Sequence, residues 1–489
     1  MMTAAKKPHS SEVNALKVAN ALVKLTSKLD DVDRVRAIID GELKPLAARF
    51  PDNPELHLEL AQALVNLTAD LGGLEQVRAI IDGELRPLAA KFPGNPELYL
   101  ELAKALFNLM IKLDGPEQVK AIFDGELRPL AARFPNNPEF QLQVAQALVN
   151  LTFDAGDAEQ IKAIIDGELR PLSASFPNNP EFHREVAMAL VNLTVDVAEP
   201  EQARAIIDGE LKPLAARFQD NPEFHLEVAQ ALINLTSRLE EPEQVRAIID
   251  SELKPLAARF QDNPEFHLSV AQALFNLAYV VAEPKQVRAI IDGELKPLAA
   301  RFPDNADLHC EVAKALVNLT TKLDDPEKIR AIIDRELKPL AARFPDNPDL
   351  HLELSTALFN LTVDVAELGQ ARAIIDGELK PLAASFPDNP ELHLPVAKAL
   401  VNLIIELDNP EPVRAIIDGE LKPLAARFED NPDLHLSVAQ ALVNLAADMG
   451  EPERANAIYE EELSPLLARF PQWLEAGGPL QFLTRHHHT

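Results

Sequence analysis

The sequence predicts an all-α protein, a right-handed α-solenoid superhelix of about eleven helical repeats. The first observation is that Ala-Ile-Ile-Asp and its close variants recur from Ala37 to Ala457 at a constant interval of 42 residues. The second is that prolines recur with the same period at positions suited to helix starts. The third is the helical spacing of apolar residues between those starts. A chain of 489 residues would ordinarily suggest roughly three domains. The constant period predicts one repeated array instead.

The long helix of each repeat is predicted to begin at an Asn-Pro-acid sequence, as at Asn53-Pro54-Glu55. Asn is a preferred helix cap, Pro fits the first helical position, and an acid suits the positive end of the helix dipole. The residues from Leu56 to Leu71 then place leucines on one face of a helix. We expect that face to be buried.

The second segment of each repeat has an apolar stripe from Val77 to Leu85, and Pro87 follows closely. Pro87 cannot donate to the carbonyl of Gly83, and its ring clashes there. The segment is therefore expected to bend sharply or to split into two helices. Because Ser, Arg or Glu occupies the Gly83 position in other repeats, we expect a negative φ at Gly83.

Two motifs in each repeat resemble the armadillo family. The first two helices of that family resemble the segment Glu75 to Asp82, followed by Gly83 and Pro87. The signature of its third helix, Glu-x-x-x-Ala-Leu-x-Asn, resembles Glu59-Leu-Ala-Gln-Ala-Leu-Val-Asn66. The resemblance covers residues 11–470. The chain departs from the family where Trp is frequent, because Gln62 and its counterparts stand there.

A second resemblance is to tetratricopeptide repeats, which are helix pairs. It depends on the junction Phe-Pro-Asp-Asn-Pro-Glu before an amphipathic pair of segments. A HEAT-like repeat is the third alternative. Each resemblance implies an α-helical superhelix with a concave inner surface.

A column of asparagines is the best candidate for a binding site. Asn carries both a donor and an acceptor, so a column of them can hold the backbone of an extended peptide, which is the role that the armadillo resemblance implies. The alternative is that each Asn bonds a neighbouring repeat or caps a loop. The column consists of Asn66, Asn108, Asn150, Asn192, Asn234, Asn276, Asn318, Asn360, Asn402 and Asn444.

Two further columns are predicted to share the face of the asparagines, because spacings of four and seven residues lie on one side of a helix. Acids in one column would favour Lys or Arg on a ligand, although a solvated helix face is an equal alternative. The polar column includes Gln62, Lys104, Gln146, Gln230 and Gln272. The acidic column includes Glu59, Glu101, Glu185, Glu227, Glu311 and Glu353.

Other recurring residues are expected to serve packing. A column of histidines that begins at His57 is expected to be partly buried, with a pH-responsive stack as the minor alternative. Glu84 and its counterparts are expected to form ion pairs between repeats or to cap a neighbouring helix. Pro395 lies within a long helix and is predicted to create a bend or a weak point.

Composition limits the classes of function. The net charge of −30 argues against binding to nucleic acid or to anionic membranes. A single Cys excludes a disulfide framework and a Cys-based zinc site. No cofactor and no enzymatic activity are expected, since charged residues recur in every repeat whereas an active site needs a singular arrangement. The start of the chain has no apolar signal segment, so we expect a cytoplasmic location.

We therefore expect a non-enzymatic scaffold that binds an extended, basic peptide or protein segment in a concave groove. The alternative is a self-associating spacer or filament subunit, because uniform repeats can stack or dimerise. The expected organisation is a disordered tail at 1–10, a cap helix at 11–34, the repeat array at 35–470, a C-terminal cap at 471–484 and a second tail at 485–489.

Overall fold

The computed structural model describes residues 10–29, 31–113, 115–153, 155–365, 367–407, 409–448, 452–474 and 480. Across these residues the chain is helical without a strand, and it forms eleven helix pairs with contacts between neighbouring helices. The predicted all-α solenoid class is confirmed. The helices fall into two compact bodies, Met1–Arg238 and Leu239–Thr489. The predicted tail at 485–489 and nearly all of the one at 1–10 lie outside the described residues.

The first helix of each pair is long and takes an odd number in chain order. The long helices are α1 (Ser10–Thr26), α3 (Pro54–Asp70), α5 (Pro96–Met110), α7 (Pro138–Phe153), α9 (Pro180–Asp196), α11 (Pro222–Thr236), α13 (Pro264–Val280), α15 (Ala306–Thr320), α17 (Pro348–Asp364), α19 (Pro390–Ile405) and α21 (Pro432–Asp448).

The second helix of each pair takes an even number and contains a π-helical turn. The second helices are α2 (32–49), α4 (74–91), α6 (116–131), α8 (158–175), α10 (200–217), α12 (242–259), α14 (284–301), α16 (326–343), α18 (368–384), α20 (410–427) and α22 (452–469). The π turns are Ile39–Leu43, Ile81–Leu85, Phe123–Leu127, Ile165–Leu169, Ile207–Leu211, Ile249–Leu253, Ile291–Leu295, Ile333–Leu337, Ile375–Leu379, Ile417–Leu421 and Tyr459–Leu463.

The starts of the long helices follow the predicted capping chemistry. In α3 the side-chain oxygen of Asn53 accepts hydrogen bonds from the backbone N–H groups of Glu55 and Leu56, at 3.1 and 3.2 Å. Pro54 occupies the first helical position, where its missing N–H has no intrahelical partner to lose. The same cap recurs at Asn95, so this local sequence fixes where each long helix begins.

The second helix does not break at its proline. In α4 the backbone N–H of Arg86 donates to the carbonyl of Ile81, so the turn that precedes Pro87 is widened to an i to i+5 pattern and the helix continues. Gly83 lies inside this turn with a negative φ, as predicted. Each repeat is therefore a pair of helices, and the three-helix unit that the armadillo resemblance implied is absent from the described repeats.

The core lies between the two layers of helices. Leu56, Leu60 and Leu64 of α3 are buried, as are Val77 and Ile81 of α4. Within each body a long helix packs along the next long helix, α3 on α5 for example, and the second helix contacts the long helices of its own and the following repeat. The second helices contact one another much less, so the long helices form the more closely packed layer.

The array is closed differently at its two described ends. The predicted cap helix at 11–34 is two elements, because α1 ends at Thr26 and α2 starts at Val32 as the second helix of a first pair. At the other end Trp473 is buried in a short 3₁₀ turn and stacks on Phe470 with ring centroids 4.6 Å apart. Leu480 packs in the same cluster, so this segment covers the apolar end of the last repeat.

Candidate functional site

One face of each long helix is open to solvent. In α3 this face carries Glu55, Gln62, Asn66 and Ala69, which lie on one side of the helix because of their spacing. Glu55 and Ala69 are exposed, whereas Gln62 and Asn66 are half-buried. The candidate site is this long-helix face, considered within each compact body separately.

The asparagine column lies on the long-helix face but is partly engaged within the protein. Every Asn of the column is half-buried. The amide of Asn108 donates to the hydroxyl oxygen of Thr68 at 3.1 Å, and that of Asn192 donates to Thr152 at 2.9 Å. At these positions the Asn bonds the preceding repeat, which is the structural alternative that the sequence left open.

The polar column beside the asparagines is accessible in part. Gln62 is half-buried and Gln230 is exposed, and the Gln230 amide donates to the side chain of Asn234 at 3.1 Å. Lys104 instead pairs with Glu101 in its own helix at 2.8 Å. This column therefore presents a mixture of amides and paired charges to solvent.

The acidic column that begins at Glu59 is half-buried or buried against the neighbouring long helix. Glu101 and Glu185 are buried, with only 4% and 6% of their surface exposed. Glu59 accepts a hydrogen bond from Asn20 of the preceding long helix at 3.2 Å, and Glu227 lies 3.7 Å from the guanidinium of Arg184 in α9. The structure thus places these carboxyls against the neighbouring long helix, where few atoms remain for a ligand.

Burial changes the acidity of three of these carboxyls. Loss of hydration raises the pKa of Glu185, Glu227 and Glu353 to about 7 in each case. The positive charge of Arg184 opposes the shift at Glu185 and Glu227, and that of Lys314 opposes it at Glu353. Near neutral pH these groups therefore carry only part of their formal negative charge.

A different acidic row does face solvent, and the sequence pattern alone did not single it out. It lies one turn earlier, at the helix start, where the acid had been interpreted only through the helix dipole. Its members are exposed on the same side as the asparagines. The row consists of Glu55, Glu97, Glu139, Glu181, Glu223, Glu265, Asp307, Asp349, Glu391 and Asp433.

An exposed apolar row was also missed. It lies three residues after each Asn of the column, near the C-terminal end of the long helix. Phe153 has 78% of its surface exposed and Tyr279 has 65%. The row also includes Ile111, Val195, Val363 and Ile405. Its only signal in the sequence is that this position is frequently apolar while its identity varies.

The histidine column packs, as expected. His57 is buried, and its ring lies 4.9 Å from that of Phe92 at the end of the same repeat. Its Nδ1 lies 2.8 Å from the backbone oxygen of Asn53. Burial lowers the pKa of His57, and the ammonium of Lys91 lowers it further. No cluster of three His, Cys, Asp or Glu side chains suited to a metal occurs in the part of the chain that the structure describes.

Ion pairs join the second helices of neighbouring repeats, as predicted for Glu84. Arg36 and Lys44 of α2 both contact the Glu84 carboxylate, at 2.7 and 2.5 Å. Asp40 lies between the two cations and binds both. We call this arrangement the ion ladder. Its other acids include Glu126, Glu168, Glu210, Glu294, Glu336, Glu378, Glu420 and Glu462.

Comparison with known proteins adds little to this description. No protein-family model matches the chain, and no curated protein matches it. Among solved structures, one similar chain is described as the crystal structure of an engineered protein. It is 25% identical, with 81% of this chain and 96% of that chain covered, at a TM-score of 0.33. A TM-score this low carries no argument about function.

Among the described helices, none combines the length and the apolar character needed to cross a membrane.

Proposed function

We propose that the chain is a non-enzymatic scaffold that binds an extended, basic segment of a partner protein along the long-helix face. The observation that supports this most directly is the exposed acidic row from Glu55 to Asp433, which repeats once in every long helix after α1. A row of like charges on a regular support attracts a chain of opposite charge and raises its association rate.

The spacing of the repeats suits an extended ligand. Packed helices lie about 8–10 Å apart, and an extended chain advances about 3.3 Å per residue. One repeat therefore corresponds to about three residues of ligand, so a cation at every third position would meet one acid per repeat. Gln62, Gln230 and Asn66 would supply donors and acceptors to the ligand backbone.

The proposed ligand is basic, as expected from the sequence, but different acidic residues attract it. The carboxyls of Glu101, Glu185 and Glu311 are buried, so they are poor candidates for direct contact. Glu97, Glu181 and their counterparts take that role instead.

The experiment uses a fluorescein-labelled peptide of about twelve residues with the repeat Ala-Lys-Pro, which favours an extended conformation. Glu97, Glu139 and Glu181 are changed together to Gln in the full chain. Since exposed ion pairs are each worth about 0.5 kcal/mol, we expect binding measured by fluorescence anisotropy to weaken about tenfold. Added salt should weaken binding to the unchanged protein as well.

The matched control changes Glu75, Glu117 and Glu159 together to Gln. These acids are exposed and occupy the same position in the first turn of their helices, but they lie on the second helices. Their replacement removes the same net charge. The control variant should bind almost as the unchanged protein does. Equal weakening in both variants would mean that the peptide senses only net charge, and the long-helix face would lose its assignment.

The second candidate function is a self-associating spacer, which is favoured by the exposed apolar row. Phe153 and Tyr279 are the most exposed of its aromatic members. Light scattering across a range of concentrations separates the two functions. A monomer at all concentrations would exclude the spacer, whereas assembly that disappears in a Phe153→Ser variant would support it.

A further inference from the structure

A cavity of about 480 Å³ lies between the long helices α17 and α19 in the C-terminal body. Val363, Val365 and Leu368 form apolar walls near the end of α17 and the start of α18, and Asn402 of the asparagine column lines the same space. Glu406, which is exposed, stands at its edge. The cavity thus combines an apolar channel, an amide and a carboxylate.

The equivalent space in the N-terminal body is occupied by an arginine of the chain itself. Arg238 stands four repeats before Glu406, at the same position of the repeat. Its guanidinium donates to the carbonyl oxygens of Thr194 at 2.8 Å, Val197 at 2.6 Å and Ala198 at 2.9 Å. These carbonyls belong to the C-terminal end of α9 and the loop after it. That helix end needs donors and carries partial negative charge.

Two other repeats also place a cation at this position, whereas Asp70, Asp196 and Asp364 stand there in three others. Lys112 donates to the carbonyl of Ala69 at 2.8 Å, and Lys322 donates to that of Tyr279 at 3.0 Å. Both lysines stand at the repeat position of Arg238 and Glu406. A cation at this position therefore binds the end of the preceding long helix in each of these repeats.

In the cavity the cation is replaced by an acid. Glu406 cannot donate to the carbonyls at the end of α17, because a carboxylate has no proton to give near neutral pH. The hydroxyl of Thr362 donates to its own helix, to Phe359 at 2.7 Å, and forms no described bond with Asn402. The corresponding Thr152 and Asn192 are bonded to each other.

The size of the cavity has a local cause. Ala371 lines it where the corresponding positions of several other repeats carry Val or Ile, such as Val77 and Ile161. The smaller side chain leaves space that a branched one would fill. In the N-terminal body Ala203 occupies the same position, and there the side chain of Arg238 covers the site.

We propose that the cavity between α17 and α19 binds an arginine side chain of the partner, in the manner in which Arg238 occupies the equivalent space. The aliphatic stem packs on Val363, Val365 and Leu368, while the guanidinium reaches the carbonyls at the end of α17 and the Glu406 carboxylate. Arginine fits better than lysine, because its planar fork can donate to several acceptors, as Arg238 does. This inference depends on the proposed function and names one anchor residue of the basic ligand.

The experiment compares two labelled peptides, the Ala-Lys-Pro repeat and the same peptide with one central Lys replaced by Arg. With the unchanged full chain we expect the Arg-containing peptide to bind about tenfold more tightly. In a Glu406→Arg variant the new side chain fills the cavity as Arg238 does, so the advantage of the Arg-containing peptide should disappear. Glu406→Gln, which removes the charge without filling the space, should retain part of it.

The reciprocal variant is Arg238→Glu, which opens the equivalent site in the N-terminal body. It should bind a second molecule of the Arg-containing peptide. If the unchanged protein binds both peptides equally, or if Glu406→Arg retains the full preference for Arg, the anchor site is refuted while the scaffold function stands. If neither peptide binds the unchanged protein, the scaffold function itself fails.

Discussion

Replacement of Glu353 by Gln is expected to stabilise the protein at high pH and to have little effect at low pH. Glu353 lies in α17 close to Lys314 and Glu311 of α15, and burial raises its pKa to about 7 from an ordinary 4.5. Below the pKa that Glu353 has in the unfolded chain, the carboxyl is protonated in both states and does not oppose folding. Its ionisation disfavours the fold as pH rises through about 7. The difference between the two pKa values lowers the free energy of unfolding by at most about 3 kcal/mol.

The assay is urea unfolding of the unchanged protein and of Glu353→Gln at about pH 8.5 and about pH 4.5. Gln is compatible with this position, because Gln143 occupies it in another repeat. The control is Glu391→Gln, which removes an exposed carboxylate from the next long helix and should lack this pH dependence. The reasoning is refuted if Glu353→Gln shifts the urea midpoint equally at both pH values, or if it destabilises the protein at the higher one.

Three further predictions concern stability. Glu294→Gln should lower the free energy of unfolding by about 1 kcal/mol near neutral pH, since Glu294 bridges two cations of the preceding repeat. Because those cations lower the pKa of Glu294, the loss should shrink at acid pH, and a pH-independent loss would contradict this. Pro395→Ser should raise the thermal midpoint, because it restores a backbone N–H to α19 and Ser269 occupies the same position naturally; an unchanged midpoint would contradict it. Asn192→Ala should cost about 1 kcal/mol in urea unfolding whereas Asn402→Ala should cost less, and equal losses would show that the bond from Asn192 to the preceding repeat is unimportant.

The parts of the fold that were predictable depend on local interactions. Asn53 and Pro54 fix the start of α3 through bonds and torsion angles within a few residues, so the sequence alone is sufficient there. Pro87 was expected to break the second helix, because an α-helix cannot supply its missing bond. The π turn that accommodates it depends on the register of the whole helix against its neighbours, which a local pattern does not contain.

The sequence placed the candidate site on one side of the long helix, but it could not show which acids on that side are exposed. Glu55 and Glu59 lie on opposite flanks of Asn66, each about 20° away around the helix axis. The sequence of one repeat is symmetric in this respect and cannot indicate which flank the preceding helix covers. Stacking half-buries Glu59 and leaves Glu55 exposed. The proposed role of Glu406 likewise depends on the position of Arg238 in the equivalent space, which the sequence does not contain.

The ion ladder gives the array a direction and a unit of length. Every described junction within a body joins the cations of one repeat to the acid of the next, so the two faces of a repeat are chemically unlike. In the last repeat Asn456 and Ser464 replace those cations, and the ladder ends there. Removal or duplication of a complete repeat inside a body would recreate the same junction on both sides of the change. The reach of this protein is therefore adjustable in whole repeats, as in a polymer whose monomers join head to tail.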